Sequence, residues 1–167
     1  MTVRTQTPAE VARAVFDALG KKQVGDAMRY VAEDAVDDVV AIGRFEGKAA
    51  IHRFFDELLA AFPTFEISVE RVVGDESSAV VQWRASGDFT GGPFQGVEPT
   101  GRHVEIRGVD VMEMAEGTVR HNTIYYDGAS FARQIGMLPA AGTSVDRAVL
   151  SAFNAATRVR KRFGQDK

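Results

Sequence analysis

The sequence predicts an α+β domain, with helices packed on one face of a curved antiparallel or mixed sheet. Three observations support this. Helical segments crowd the N-terminal part, where apolar residues repeat at steps of three and four. From Phe65 onward the repeat changes to steps of two, in four segments that read as a meander. Helices first and strands later argue for segregated layers and against an alternating βα fold. At 167 residues the chain fits one domain with a real core.

The elements follow in order. Thr7-Pro8-Ala9-Glu10 is a helix start, with a capping Thr, Pro in the first turn and Glu placed to complete a capping box. Val11, Val15, Ala18 and Leu19 then recur at helical spacing. Asp26 is expected to cap a short second helix. DAVDDVVAI reads as the first strand, and GKAAIHRFFDELLAAF is the clearest helix, with Ile51, Phe54, Phe55, Leu58, Leu59 and Phe62 on one side and Pro63 ending it. FEISVERVV, SAVVQWRASGDF, RHVEIRGVDVMEM and TVRHNTIYY are strands, the last two joined across Ala115-Glu116-Gly117. The Gly- and Pro-rich TGGPFQGVEPTG is a loop, and without Lys-Ser or Lys-Thr after its glycines it is no phosphate-binding loop.

GASFARQIGMLP predicts a short helix closed by Gly136 and Pro139, which ends the domain over residues 1–139. Residues 140–167 form a helical extension. Val145, Ala148, Val149, Ala152, Phe153, Ala156 and Val159 share one side of it, and Arg158, Arg160, Lys161 and Arg162 make its end basic. It is expected to dock on the domain or on a neighbouring subunit, with cations favourable at its C-terminus. An anionic surface or partner is the second reading.

Composition removes several function classes. With 45 % hydrophobic and 26 % charged residues and a formal charge of -3, the chain has no electrostatic reason to bind nucleic acid. It has no cysteine, so disulfides, thiol nucleophiles and thiolate metal sites are excluded. His52, His103 and His121 are scattered without ligand spacing, so no metal is expected. No nucleophile elbow surrounds a serine. MTVRTQTPAEVARAVF lacks an apolar signal core and no apolar run is long enough to span a membrane, which gives a cytoplasmic expectation.

Carboxylates remain the informative class. Alternation along the third of the four later strands puts Val104, Ile106, Gly108, Asp110, Met112 and Met114 on one side, apolar except for Asp110. A buried aspartate there has its pKa raised by desolvation, as an acid or base catalyst needs. The alternatives are a structural aspartate satisfied by a tyrosine hydroxyl or a backbone amide, or a different register that turns this side to solvent. Of Asp37 and Asp38, alternation lets one face inward. Asp127 is either an inward acid at the end of the last strand or the N-cap that DGAS spells, and the cap is favoured. His121, Thr123 and Tyr125 share one side of that strand, and Asn122, Ile124 and Tyr126 the other; either set can line the interior. Phe16, Phe54, Phe55, Trp83 and Phe89 are core residues that would also wall a hollow fold.

GDAMRYVAEDAVDD, FEGKAAIHRFF, FPTFEISVERVVGDESSAVVQW, PTGRHVEIRGVDVMEMAEGTV and YYDGASFARQIGMLP together resemble the SnoaL-like polyketide cyclase group of the NTF2-like, cone-shaped superfamily. The resemblance covers about Pro8 to Pro139, and PTGR with the later QIGMLP is its most specific part. It implies a long bent sheet wrapped around an apolar cavity closed by the first helices, and a homodimer. SnoaL-like cyclases carry out an intramolecular aldol condensation on polyketide esters without cofactor or metal, using an acid/base carboxylate with a nearby histidine. Asp110 looks like a position from which the superfamily aims a polar group into its cavity. Compared with ketosteroid isomerase, a relative, Asp38 resembles the base, Asp110 the neutral acid, and Phe16 stands where a tyrosine would be. The acid on the last strand of the cyclases matches Asp127 or, by another count, Ile124.

The resulting expectation is a cofactor-independent acid/base enzyme acting on an apolar carbonyl or polyketide-like molecule. Asp110 works with Asp38 or Asp127, and His121, Asn122 or Tyr126 donates to the enolate. Phe16, Trp83, Phe89, Asn122, Tyr126 and Met112 contact the ligand. A binding or dimerising module without chemistry, and a water-activating epoxide or ester hydrolase, are its rivals.

Overall fold

A computed structural model describes residues 6–163. Helix α1 (Pro8–Gly20) opens with the expected capping box: the Thr7 hydroxyl accepts from the Glu10 amide, and the Glu10 carboxylate accepts from the Thr7 amide. Its buried residues Val11, Ala12, Val15, Phe16, Ala18 and Leu19 form the stripe that packs on the sheet. Helix α2 (Val24–Ala27) follows with Gln23, not Asp26, at its N-cap; Asp26 lies inside the helix and pairs with Arg29. The Lys21–Gln23 turn explains the shift, because Lys22 takes a positive φ of 59° and starts the helix two residues earlier than the aspartate.

Six strands form one open sheet: β1 (Val31–Val39), β2 (Gly43–Glu46), β3 (Glu66–Gly74), β4 (Ser78–Asp88), β5 (His103–Ala115) and β6 (Thr118–Tyr126), in the order β2-β1-β6-β5-β4-β3. The short β2 was not apparent in the sequence. Strand β1 runs parallel to β6 and every other pair is antiparallel, so the sheet is mixed. Register shifts in the β1/β6, β3/β4 and β5/β6 pairs interrupt the ladder, and irregularities of this kind bend strands. The β5–β6 turn places Glu116 and Gly117 at φ 53° and 75°, the left-handed pair that a tight two-residue hairpin requires.

Helix α3 (Lys48–Ala61) lies against β1, and α1 against β3 and β4. Burial along β4 and β5 alternates as the sequence predicts: Ala79, Val81, Trp83 and Ala85 point inward, and so do Val104, Gly108, Asp110 and Met112. Helix α4 (Gly128–Gln134) returns across β5, where the Gln134 side chain accepts from the Glu105 amide and donates to its carbonyl.

For helix α5 (Ser144–Phe163) one of the two expected docking partners is excluded. It does not dock on the domain: Val145, Val149, Leu150, Phe153 and Val159 are all more than half exposed. No helix among the described residues is long and apolar enough to cross a membrane.

Candidate active site

Between the helices and the concave face of the sheet lies a pocket of about 100 Å³. Its wall is hydrocarbon almost throughout, with Phe16 and Leu19 from α1, Phe54, Phe55, Leu58 and Leu59 from α3, and Ile106 and Ile124 from the sheet. Phe94 and Phe131 meet edge to face at 6.1 Å, and Tyr126 packs on Phe131 at 6.2 Å. Asp110 is the one carboxylate in this lining.

Asp110 is 5 % exposed and fixed at both oxygens. Trp83 Nε1 donates to Oδ1 at 2.7 Å, and Asn122 Nδ2 donates to Oδ2 at 2.9 Å. The ladder dictates this arrangement. Trp83 stands opposite Gly108, and a Cβ on Gly108 would come within 2.2 Å of the indole, so only glycine lets the ring lie flat across β5 and reach the next inward residue. Asn122 faces Met112 and Ile124 faces Asp110 on the other flank. Burial pushes the Asp110 carboxyl up to about 6, opposed by the two donors, which favour the ionised form.

A second buried carboxyl stands one strand beyond Asn122. Asp37, on β1, pairs in register with Asn122 and is 4 % exposed. Burial, and then the negative field of Asp110, push it up to about 7. It does not line the pocket and accepts no hydrogen bond from the described residues.

The structure sorts the expected residues. Asp110, Trp83, Phe16 and Tyr126 line the pocket, and Asn122 supports it from behind. Met112 and Phe89 do not reach it: Met112 is buried beside Asn122, and Phe89 stacks on Phe62 at 5.0 Å. Asp38 faces the other way, because the β1 alternation turns Ala35, Asp37 and Val39 inward. His121 lies with Thr123 and Tyr125 on the outer side of β6, opposite Glu113, and is removed from the pocket by the same period-two rule. Asp127 is the N-cap of α4, its carboxylate accepting from the Ser130 amide at 2.9 Å. Ile124 occupies the pocket wall opposite Asp110, so neither count of the last strand supplies an acid there. No group of three or more potential ligands for a metal occurs among the described residues.

A bent mixed sheet folded over N-terminal helices, with a polar residue from a central strand aimed into an apolar pocket, defines the NTF2-like class of α+β proteins. Residues 9–135 match the SnoaL-like polyketide cyclase family, and the chain belongs to that family. Solved structures share the fold. One from Jannaschia sp. CCS1, classed as a SnoaL-like polyketide cyclase, is 24 % identical over 81 % of this chain and 99 % of its own, with a TM-score of 0.70. AclR from Streptomyces galilaeus, classed as a hydroxylase, is 18 % identical over 90 % and 94 %, with a TM-score of 0.68. One from Kribbella flavida DSM 17836, classed as a ketosteroid isomerase, is 23 % identical over 71 % and 76 %, with a TM-score of 0.56. No curated protein matches the sequence. Likeness at this level of identity shows the fold and does not fix the chemistry, which rests on the site.

Proposed function

We propose that this protein is a cofactor-independent acid/base enzyme acting on a small apolar carbonyl compound. Asp110 is the general base. One observation carries the reading: a carboxyl held by two donors, with its pKa raised to about 6, stands in the wall of an otherwise apolar pocket. A base of that strength is ionised at neutral pH yet close enough to it to accept a proton efficiently.

Asp110 takes a proton from the carbon next to the substrate carbonyl, and the electron pair left behind moves onto the carbonyl oxygen. Tyr126, which also lines the pocket, is the donor that stabilises that oxygen. Burial pushes its phenol up to about 12, so it stays protonated and can donate. In an aldol ring closure the enolate carbon then attacks a second carbonyl of the same molecule. The new alkoxide takes back a proton from Asp110.

The pocket limits the substrate. Ligand sites ordinarily measure about 300 to 1,000 Å³, so a space of about 100 Å³ admits a compact molecule, and a fused-ring polyketide requires α1 and α3 to part. The nearly unbroken hydrocarbon wall also favours a second reading, a binding module that holds an apolar ligand without chemistry.

Turnover on a panel of aromatic polyketide esters, 3-oxo steroids and epoxides separates these readings, with wild type compared to Asp110→Asn and products identified by mass spectrometry. Conversion that falls by roughly 100-fold or more in the variant is the expected result. Conversion that survives the substitution removes Asp110 as the base. Saturable binding with no conversion by either protein supports the module.

A further inference from the structure

Asn122 is anchored on one side only. Its Nδ2 donates to Asp110, while its Oδ1 is buried and has no donor. An orphaned buried carbonyl oxygen is costly and calls for an explanation. The residue beside it in the parallel β1/β6 register is Asp37, also inward and buried, and likewise without a hydrogen bond. On in-register neighbours of a parallel pair, two such acceptors can meet favourably only where one carries a proton.

The two carboxyls flanking Asn122 are not equivalent. Asp110 receives two N–H donors and Asp37 none. Hydrogen bonds donated to a carboxylate stabilise its charge, and a carboxylate without them, out of water, is the one that keeps its proton. Trp83 can only donate, so its bond to Asp110 fixes that side of the network as the acceptor. Other charged groups on the adjoining elements, Lys48 with Glu33, Arg44 with Glu46, Arg120 with Asp34 and Glu116, and His52 with Asp56, pair with carboxylates that lie in solvent, and Asp110 is the charge that raises Asp37.

We infer that Asp37 is a neutral positioning residue, whose carboxylic O–H donates to Asn122 Oδ1 and locks that amide so that its Nδ2 donates to Asp110. The buried set then carries one negative charge, and that charge sits at the pocket wall. Turning the amide over would aim Oδ1 at the Asp110 carboxylate, and the Asp37 proton prevents this. The inference rests on the reading of Asp110 as the base, and gives that base a second support besides Trp83. It also departs from the roles suggested by the resemblance, in which Asp38 is the base and Asp110 the neutral acid.

The test is carboxyl carbon NMR on full-length protein labelled at aspartate, without ligand, across pH 4 to 9. Wild type, Asp37→Asn, Asp37→Val and Asp110→Asn are compared. Asp37 is expected to ionise after Asp110. Asn at position 37 still offers an N–H to Asn122, so the Asp110 midpoint should move by less than about 0.3 unit, whereas Val, with no donor, should raise it by about half a unit or more. Three results overturn the inference: Asp110 ionising last, a fall of more than about one unit in Asp37→Asn, or no response to Asp37→Val. Should the Val variant fail to fold, the titration order and Asp37→Asn decide. Because no substrate is present, the titration reads the hydrogen-bond network separately from the turnover experiment, and the two can fail independently.

Discussion

Trp83 reaches Asp110 by lying flat across Gly108: the indole N–H donates to Oδ1 at 2.7 Å, through space that any Cβ on residue 108 would fill. Three residues on two neighbouring strands thus act as one device. Gly108→Ala is expected to lift the ring, break the bond and destabilise the fold by roughly 1–3 kcal/mol through overpacking. Urea unfolding followed by the fluorescence of this single tryptophan measures it. An unchanged midpoint would show that the ring has another place to go.

Trp83→Phe asks a narrower question, since it keeps an aromatic ring and removes the donor. Asp110 then loses one of the two bonds that favour its ionised form, so its pKa should rise further. If Asp110 is the base, the acid limb of the rate profile should move up by about half to one unit. A limb that stays in place while the rate falls would assign Trp83 to substrate packing.

The two raised carboxyls also make stability depend on pH, with a definite sign. Folded Asp37 and Asp110 hold protons up to about 7 and about 6, whereas an unfolded aspartate releases its proton near 3.9. Between those values the folded state binds more protons, so their contribution is fully present below pH 4 and is lost as pH rises through 6 to 7. At about 1.4 kcal/mol per unit, the loss is on the order of a few kcal/mol. Asp37→Asn should flatten the upper part of that slope. Urea midpoints at half-unit pH steps provide the check, and a wild-type stability that climbs from pH 4 to 7, or an Asp37→Asn slope equal to that of the wild type, would contradict the burial of both groups.

The sheet was legible because period-two burial is a strong constraint. The apolar run around Asp110 could face only one way, and the structure confirms its inward side. The first strand was harder to read. Ala35, Asp37 and Val39 compete with Val36, Asp38 and Val40, and each set has two apolar residues and one carboxylate. Nothing local breaks that tie; it is settled by pairing with β6, which sets Asp37 beside Asn122. The same pairing decides which side of β6 faces in and removes His121. Strand β2 escaped notice because four residues, GRFE, carry too little alternation to stand out. Asp127 was legible as a cap, since DGAS ahead of a helical pattern is a local signal.

Helix α5 gives the remaining prediction. Phe153 is 66 % exposed and Val149 54 %, and among the described residues the apolar side of the helix packs extensively on none of the domain's elements. A segment that buries nothing against the domain contributes little to its stability, since changes away from packed features usually stay within about 0.5 kcal/mol. Ending the chain after Gly142 should therefore leave the thermal midpoint within about 2 °C of the full-length value at low protein concentration. The capping of α4 and the Trp83–Asp110 bond would be untouched. The measurement is a pair of melts at several concentrations, with the particle mass recorded beside each. A midpoint that drops by more than about 5 °C on truncation would mean that the helix is covered in solution. A full-length midpoint that rises with concentration, together with a mass that halves on truncation, would assign the cover to a second copy of the chain.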